Sequence, residues 1–209
     1  MIVTVDGPVA AGKGTLARRL AAHLGFAYLD TGSLYRATAL RLLRQGGDPG
    51  DAKAAALAAA QVSQADLADP ALRDEAIGAA ASLVAALPEV RQALLEYQRR
   101  VAAAPPGGAA GAVLDGRDIG TVVCPEADVK LFVTADVDAR SRRRHAELLA
   151  RGARTSLAEV RAELVRRDER DSARAHAPLR PAADAHLLDT TKLDIETAFR
   201  AALDVIAAG

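Results

Sequence analysis

Apolar positions along the chain fall into two patterns: short continuous runs, and sets spaced three or four residues apart. Ile2-Val3-Thr4-Val5 is a run of β-branched residues that stops at the turn signal Asp6-Gly7-Pro8, which predicts a strand. Leu16, Leu20 and Leu24 then repeat at the spacing of one helix face, so residues 15–24 read as helix. Residues 26–29 read as a second short strand, and a helix from about 33 to 44 closes at Gly46-Gly47-Asp48-Pro49. Residues 51–104 read as almost entirely helical. Asp69-Pro70 marks a helix start there (an N-cap followed by proline in the first helical position), Leu87-Pro88 another boundary, and Pro105-Pro106-Gly107-Gly108 the end. Ala112-Val113-Leu114 and residues 129–133 look like buried strands. A long helical zone over 136–174 breaks near Gly152, where Ser156 and Glu159 spell a capping box. His186–Asp189 is a last strand and residues 194–208 a last helix. Strands alternating with helices predict an α/β fold, a parallel sheet with helices on both faces.

Composition narrows this picture. The chain has 209 residues, which suits one domain with a small subdomain. Hydrophobic residues make up 50% and aromatics 3%, so the core rests on Leu, Val and Ile, with the many alanines favouring helix. Lys+Arg and Asp+Glu are both 27, which disfavours a globally basic nucleic-acid binder and an acidic disordered tail. The one cysteine, Cys124, excludes an internal disulfide framework and a cysteine-rich zinc site, and reads as a packing residue. The apolar runs are far short of a membrane span, and no signal peptide is visible, so the expectation is a cytoplasmic protein. The histidines at 23, 145, 176 and 186 lack metal-ligand spacing and read as structural.

The sharpest motif is Gly7-Pro8-Val9-Ala10-Ala11-Gly12-Lys13-Gly14-Thr15. It lies between a predicted strand and a predicted helix, the context a phosphate-binding loop requires. Small residues let successive backbone N–H groups turn inward as an anion nest, and the helix start adds partial positive charge. Lys13 reaches β- and γ-phosphate oxygens as a mobile point charge. The usual motif places Ser or Thr directly after the lysine, whereas Gly14 intervenes before Thr15. That spelling resembles nucleoside monophosphate kinases rather than GTPases.

Three further clusters follow. Asp30-Thr31-Gly32-Ser33-Leu34-Tyr35-Arg36 opens a helix, where Thr31 or Ser33 serves either as a cap or, with Arg36, as a second anion site. Asp115-Gly116-Arg117-Asp118 follows a buried strand, and open parallel sheets bind ligands outside the carboxyl ends of their strands. Arg167, Asp171 and Arg174 fall on one helix face, either to bind a phosphate and a ribose hydroxyl or as a salt-bridged surface. Residues 140–174 hold 11 arginines against 6 acids, with Arg140, Arg143 and Arg144 on one helix and Arg151 and Arg154 flanking Gly152. A glycine-hinged, arginine-bearing segment suggests a lid, and the lack of stacking aromatics weakens an RNA-binding reading.

Together these residues resemble the bacterial cytidylate kinase family. The likeness is carried by residues 7–15, by Asp30-Thr31-Gly32 with Tyr35-Arg36, and by the run from Asp115 to Val123. It continues through Arg167-Asp168-x-Arg170-Asp171-x-x-Arg174 and residues 178–190. The resemblance implies a P-loop kinase fold with a helical acceptor-binding insert and an arginine-rich lid. The expected division is a core of 1–30, 105–150 and 175–209, an acceptor region of about 31–104 and a lid of about 151–174. It implies transfer of the γ-phosphoryl group of ATP to CMP or dCMP, with Gly7 to Thr15 on the ATP phosphates. Mg²⁺ is expected mainly on those phosphates, with Thr15 as the candidate protein ligand. Lys13, Arg117, Arg167 and Arg174 become the catalytic cations. Thr31, Arg36, Arg117, Arg167, Asp171 and Arg174 would hold the acceptor phosphate and ribose, and Ser82, Arg91 and Asp118 would read cytosine. The partners expected are nucleotides, not nucleic acid or membrane, and the protein is expected to be a monomer. Family members often carry a strand-rich stretch within the insert, whereas residues 60–80 here show no hairpin pattern. The rival readings are another small-molecule P-loop kinase, such as an adenylate or shikimate kinase, and a nucleotide-dependent switch.

Overall fold

The computed structural model describes residues 1–208, which divide into two compact units: residues 1–28 with 105–208, and residues 29–104. The first unit is built on β1 (Ile2–Asp6), β3 (Ala112–Gly116), β4 (Val129–Thr134) and β5 (His186–Asp189). With β2 (Ala27–Asp30), at which the chain passes from one unit to the next, the strands take the order β2-β3-β1-β4-β5. β1 pairs in parallel with both β3 and β4, and β4 with β5. Central strands buried on both faces need continuous apolar runs, and Val3, Val5, Val113 and Val133 have no exposed surface. The helices of this unit are α1 (Lys13–Leu24), α6 (Val137–Ala150), α7 (Leu157–Ser172) and α8 (Ile195–Ala208). Leu16 and Leu20 of α1, and Phe199, Ala202 and Ile206 of α8, close one core against β1 and β4.

The second unit is helical: α2 (Thr31–Arg44), α3 (Ala52–Ala60), α4 (Glu75–Val84) and α5 (Pro88–Ala103). Asp51 caps α3 through Ala54, and Ala37, Leu40, Leu72 and Ile77 form a core of its own. Alanine at Ala55, Ala58 and Ala59, all buried, lets α3 lie close to its neighbours.

Several boundaries differ from those the sequence predicts. α1 begins at Lys13, because Gly12, in the left-handed region at φ 89°, ends the loop one residue before the helix. The cap of α2 is Asp30, whose side chain accepts from the Ser33 N–H; neither Thr31 nor Ser33 caps it. Residues 61–74 are not α-helix. They hold two short 3₁₀ turns, Asp66–Ala68 and Pro70–Arg73, the second capped by Asp69 as its Asp-Pro spelling suggests. Asp115 and Gly116 belong to β3 rather than to the turn after it. Residues Ile119–Val123 form a single π-helical turn, closed by Val123 N–H to Asp118 C=O and Cys124 N–H to Ile119 C=O. α7 stops at Ser172, so Arg174 lies beyond the helix rather than on its face. The break at Gly152 and the Ser156–Glu159 capping box stand as the sequence reads them.

Candidate active site

The phosphate loop owes its path to residues that tolerate unusual backbone angles. Gly7 passes so close to β4 that a Cβ there would lie 2.0 Å from the Val133 carbonyl oxygen. Ala10 and Gly12 both have positive φ, 61° and 89°. α1 then starts with no side-chain cap and no acidic residue in its first turn. A helix start of this kind presents N–H groups to an anion, and the helix dipole favours one. Three outward attachments hold the loop. The Arg140 guanidinium donates to the Val9 carbonyl (3.2 Å) and the Thr190 hydroxyl to the Ala11 carbonyl (2.9 Å). Val9 and Ala10 pack on Leu148, Val160 and Leu164 of α6 and α7. These bonds fix the Val9 and Ala11 carbonyls.

Beside the loop, a largely apolar cavity of about 250 Å³ is lined by Gly12, Thr15, Leu16, Arg143, Leu193 and Ile195 among others. Arg143 is fixed at its rim by bonds to the Thr190 carbonyl (2.5 Å) and hydroxyl (3.1 Å). Only its phosphate-loop wall was legible in the sequence, because Val133, Arg143 and residues 190–198, which close the rest of it, carry no motif.

At the end of β3, Asp115 accepts the Tyr28 hydroxyl at 2.7 Å and lies beside Gly14, where a Cβ would come 3.3 Å from its carboxylate. Asp118, buried, heads the π turn. Arg117 is held by its Nε on Asp171 (3.0 Å) and by its Nη1 on the Gly116 carbonyl (3.1 Å). Arg174 bonds the other Asp171 oxygen. The Asp171 carboxylate is only 3% exposed. Burial alone would push its pKa up, but Arg117, Arg174 and Arg167 around it hold it below the usual carboxylate range. The fold thus brings Arg117, Arg167, Asp171 and Arg174 together, although Arg174 gets there by a turn rather than a helix face.

Arg140, Arg143 and Arg144 do not make one arginine surface. Arg140 is buried, with Asp168 at 2.6 Å, Arg143 serves the Thr190 segment, and Arg144 pairs with Glu147. Two of the four histidines have structural contacts: His23 packs edge-on against Phe199, and His145 bonds the Thr155 carbonyl.

In the second unit, Thr31 is buried at the first position of α2. Arg36 donates to the Leu72 carbonyl at 2.8 Å. Its guanidinium also lies over Gly78, where a Cβ would come 3.0 Å from Nη1, so a larger residue there would make the arginine shift by a few tenths of an ångström. Ser82, buried, sits one turn beyond Gly78 on α4. Arg91 bonds the Ala85 carbonyl (3.2 Å) and stands 5.6 Å above the Tyr35 ring.

Among the described residues, no helix is long and apolar enough to cross a membrane, and no group of three His, Cys, Asp or Glu is placed to hold a metal ion. The family model described as cytidylate kinase matches residues 3–208. A cytidylate kinase from Paramagnetospirillum magneticum is 60% identical over 98% of this chain and 97% of its own length. One from Rhodopseudomonas palustris is 56% identical over 100% and 96%. Solved structures show the same fold at low identity. An uncharacterized protein from Eubacterium ventriosum matches 100% of this chain and 99% of its own at 12% identity, with a TM-score of 0.57. A sugar kinase from a Janibacter species matches 99% and 94% at 14% identity, with a TM-score of 0.50.

Proposed function

The chain belongs to the cytidylate kinase family, and we propose that its residues carry the γ-phosphoryl group of ATP to CMP or dCMP in the following way. The observation that carries the reading is a link inside the first unit. The buried Arg140 joins the Val9 carbonyl of the phosphate loop to Asp168, the neighbour of Arg167. A backbone anion nest and an arginine cluster are thus built onto one scaffold, as two phosphates meeting end to end require.

The donor enters with its phosphates on the N–H groups of residues 7–15 and its base in the cavity walled by Leu193, Ile195 and Arg143. Lys13, at the first position of α1, follows the charge that moves to the β–γ bridging oxygen as the bond lengthens. Arg117, Arg167 and Arg174 neutralise the acceptor phosphate and the transferring group. No general base is needed, since a monophosphate is already an anion at neutral pH. That suits a chain whose His23 and His145 serve packing and a backbone carbonyl.

Within the second unit, Thr31 and Arg36 serve the acceptor phosphate, and Ser82 and Arg91 the cytosine ring acceptors. Within the first, Asp118 accepts from the exocyclic amine, and Asp171 takes a ribose hydroxyl while ordering its arginines. A wrong base leaves buried groups without partners, a penalty that favours cytosine. Closure over both nucleotides, by the arginine-bearing segment around Gly152, keeps water from competing as acceptor.

The residues present fit a Mg²⁺ ion that arrives on the ATP phosphates. Thr15 opens onto the same cavity as Gly12, and Asp115 sits beside Gly14, both offering oxygen donors. Thr15 would hold the ion, and bound there it would neutralise charge on the β- and γ-phosphates. The enzyme acts in the cytoplasm, as a monomer, on these small nucleotides.

A coupled ADP-release assay with CMP, dCMP, UMP, AMP and shikimate tests the reading. CMP and dCMP are expected to be the best acceptors. A preference for AMP or shikimate overturns it.

A further inference from the structure

Asp6 is the last residue of β1, buried, and it is not part of the phosphate motif that follows it. One carboxylate oxygen accepts the Ile119 N–H at 2.9 Å and the other the Gly120 N–H at 2.7 Å. These are the first two residues of the π turn, directly after Asp118. The turn lies flat on the sheet: a Cβ at Gly120 would come 3.0 Å from the Thr4 hydroxyl and 3.2 Å from the Lys130 side chain. Lys130, opposite Thr4 in the β1–β4 register and also buried, bonds the Pro125 carbonyl just past the turn's other end and Asp184 at 2.7 Å. Residues 119–125 are therefore clamped at both ends by buried charged side chains from the two central strands.

A carboxylate in this position is costly. Burial pushes the Asp6 pKa up to about 6, against the pull of the two N–H bonds and the Lys13 charge, with Asp118 repelling it further. Packing of the turn alone would be met by a neutral side chain. Two divergent acceptors on one rigid group instead fix the orientation of successive peptide planes, and those planes set where the preceding residues point.

We propose that Asp6 is a positioning residue of the acceptor site: by holding the Ile119 and Gly120 N–H groups it aims Asp118 and Arg117, and so governs CMP binding more than ATP binding. The inference rests on the reading of Arg117 and Asp118 given above.

The test is steady-state kinetics of Asp6→Asn beside Asp118→Ala and wild type, with thermal melts to show that each is folded. Asparagine keeps the shape but turns one acceptor into a donor facing an N–H. The KM for CMP is expected to rise about tenfold, the value of one lost hydrogen bond to a charged group. The KM for ATP is expected to move less than about twofold, well below that loss, and the preference for CMP over UMP to fall. Equal shifts in both KM values, or a fall in kcat with neither KM changed, overturn the proposal. If Asp118→Ala raises the CMP KM and Asp6→Asn does not, Asp6 loses its role and the acceptor reading stands. If Asp6→Asn alone raises it, the reading of Asp118 fails and Asp6 acts through Arg117. Should Asp6→Asn not fold, amide NMR of the wild type decides. Ile119 and Gly120 resonances that move with CMP and not with ATP support the proposal, and movement with ATP alone overturns it.

Discussion

Residues 7–15 offer an anion backbone N–H groups, whereas Arg117, Arg167 and Arg174 offer guanidiniums gathered on Asp171. The loop needs no counter-charge while it waits for a ligand, since its donors are dipoles fixed by φ/ψ. Its stability comes from outside, from Arg140, Thr190 and the packing of Val9 and Ala10. The arginine cluster cannot wait unaided. Three like charges repel, and the buried Asp171 carboxylate is what lets them sit together. The loop separates stability from function, and the cluster couples them. Each prediction below presses on that difference.

The largest effect is expected at Lys13. Lys13→Ala removes the mobile charge and leaves in place Gly7, Ala10 and Gly12, whose backbone angles and close approach set the path of the loop. Turnover with ATP and CMP is expected to fall about a thousandfold, the scale of losing a transition-state donor, with thermal unfolding unchanged. A large loss of stability would break the comparison, by making the loop depend on its side chain.

Asp171→Ala is expected to do the opposite in kind, lowering stability and activity together. It leaves the half-buried Arg117 and the buried Arg174 guanidinium without their shared carboxylate, at a cost of about 3 kcal/mol, as for other broken buried ion pairs. Urea unfolding measures the first effect and kcat/KM for CMP the second. A stability change under about 1 kcal/mol, the range of an exposed pair, would mean that the cluster is not held by its carboxylate.

This difference in construction also explains what the sequence reveals. A backbone site leaves a mark, because Gly7 and Gly12 are demanded by close approach and positive φ, and their spacing with Lys13 is readable. The alternation of strands and helices is equally readable, since apolar periodicity reports burial locally. The arginine cluster was half legible: Arg167 and Asp171 share a helix face by spacing, but no local rule says that Arg117 reaches them from 54 residues away. The cap at Asp30 was missed because Thr31 and Ser33 are also good capping residues. The roles of Asp6 and Arg140 left no local signal, because their partners are backbone groups far along the chain.

Two buried carboxylates of the first unit sharpen the contrast through pH. Asp171, held below the usual range, contributes stability that is complete above pH 3.8 and lost as pH falls further through its folded pKa. Asp6, raised to about 6, behaves oppositely: its contribution is complete below pH 3.8 and lost as pH rises through 6. Asp6→Asn is therefore expected to gain on wild type between pH 4 and 6, by at most about 3 kcal/mol. Urea midpoints across that range measure it, and a constant difference between the two proteins would show that Asp6 titrates normally.

The smallest effect tests the joint between the two sites. Arg140 touches no reacting atom in the reading above, yet it bonds Ala135 and Val9 carbonyls and the Asp168 carboxylate. Arg140→Met keeps the length of the side chain and removes all three bonds. The Val9 carbonyl is then free to rotate, and the loop loses one of the ties that fix its carbonyls. The KM for ATP is expected to rise about tenfold, as for one charge-assisted hydrogen bond, with the CMP KM moving less because Asp171 still gathers its arginines. If the CMP KM rises more, the joint works in the other direction: Arg140 serves chiefly to anchor Asp168 and the arginine beside it, and the loop is rigid without it.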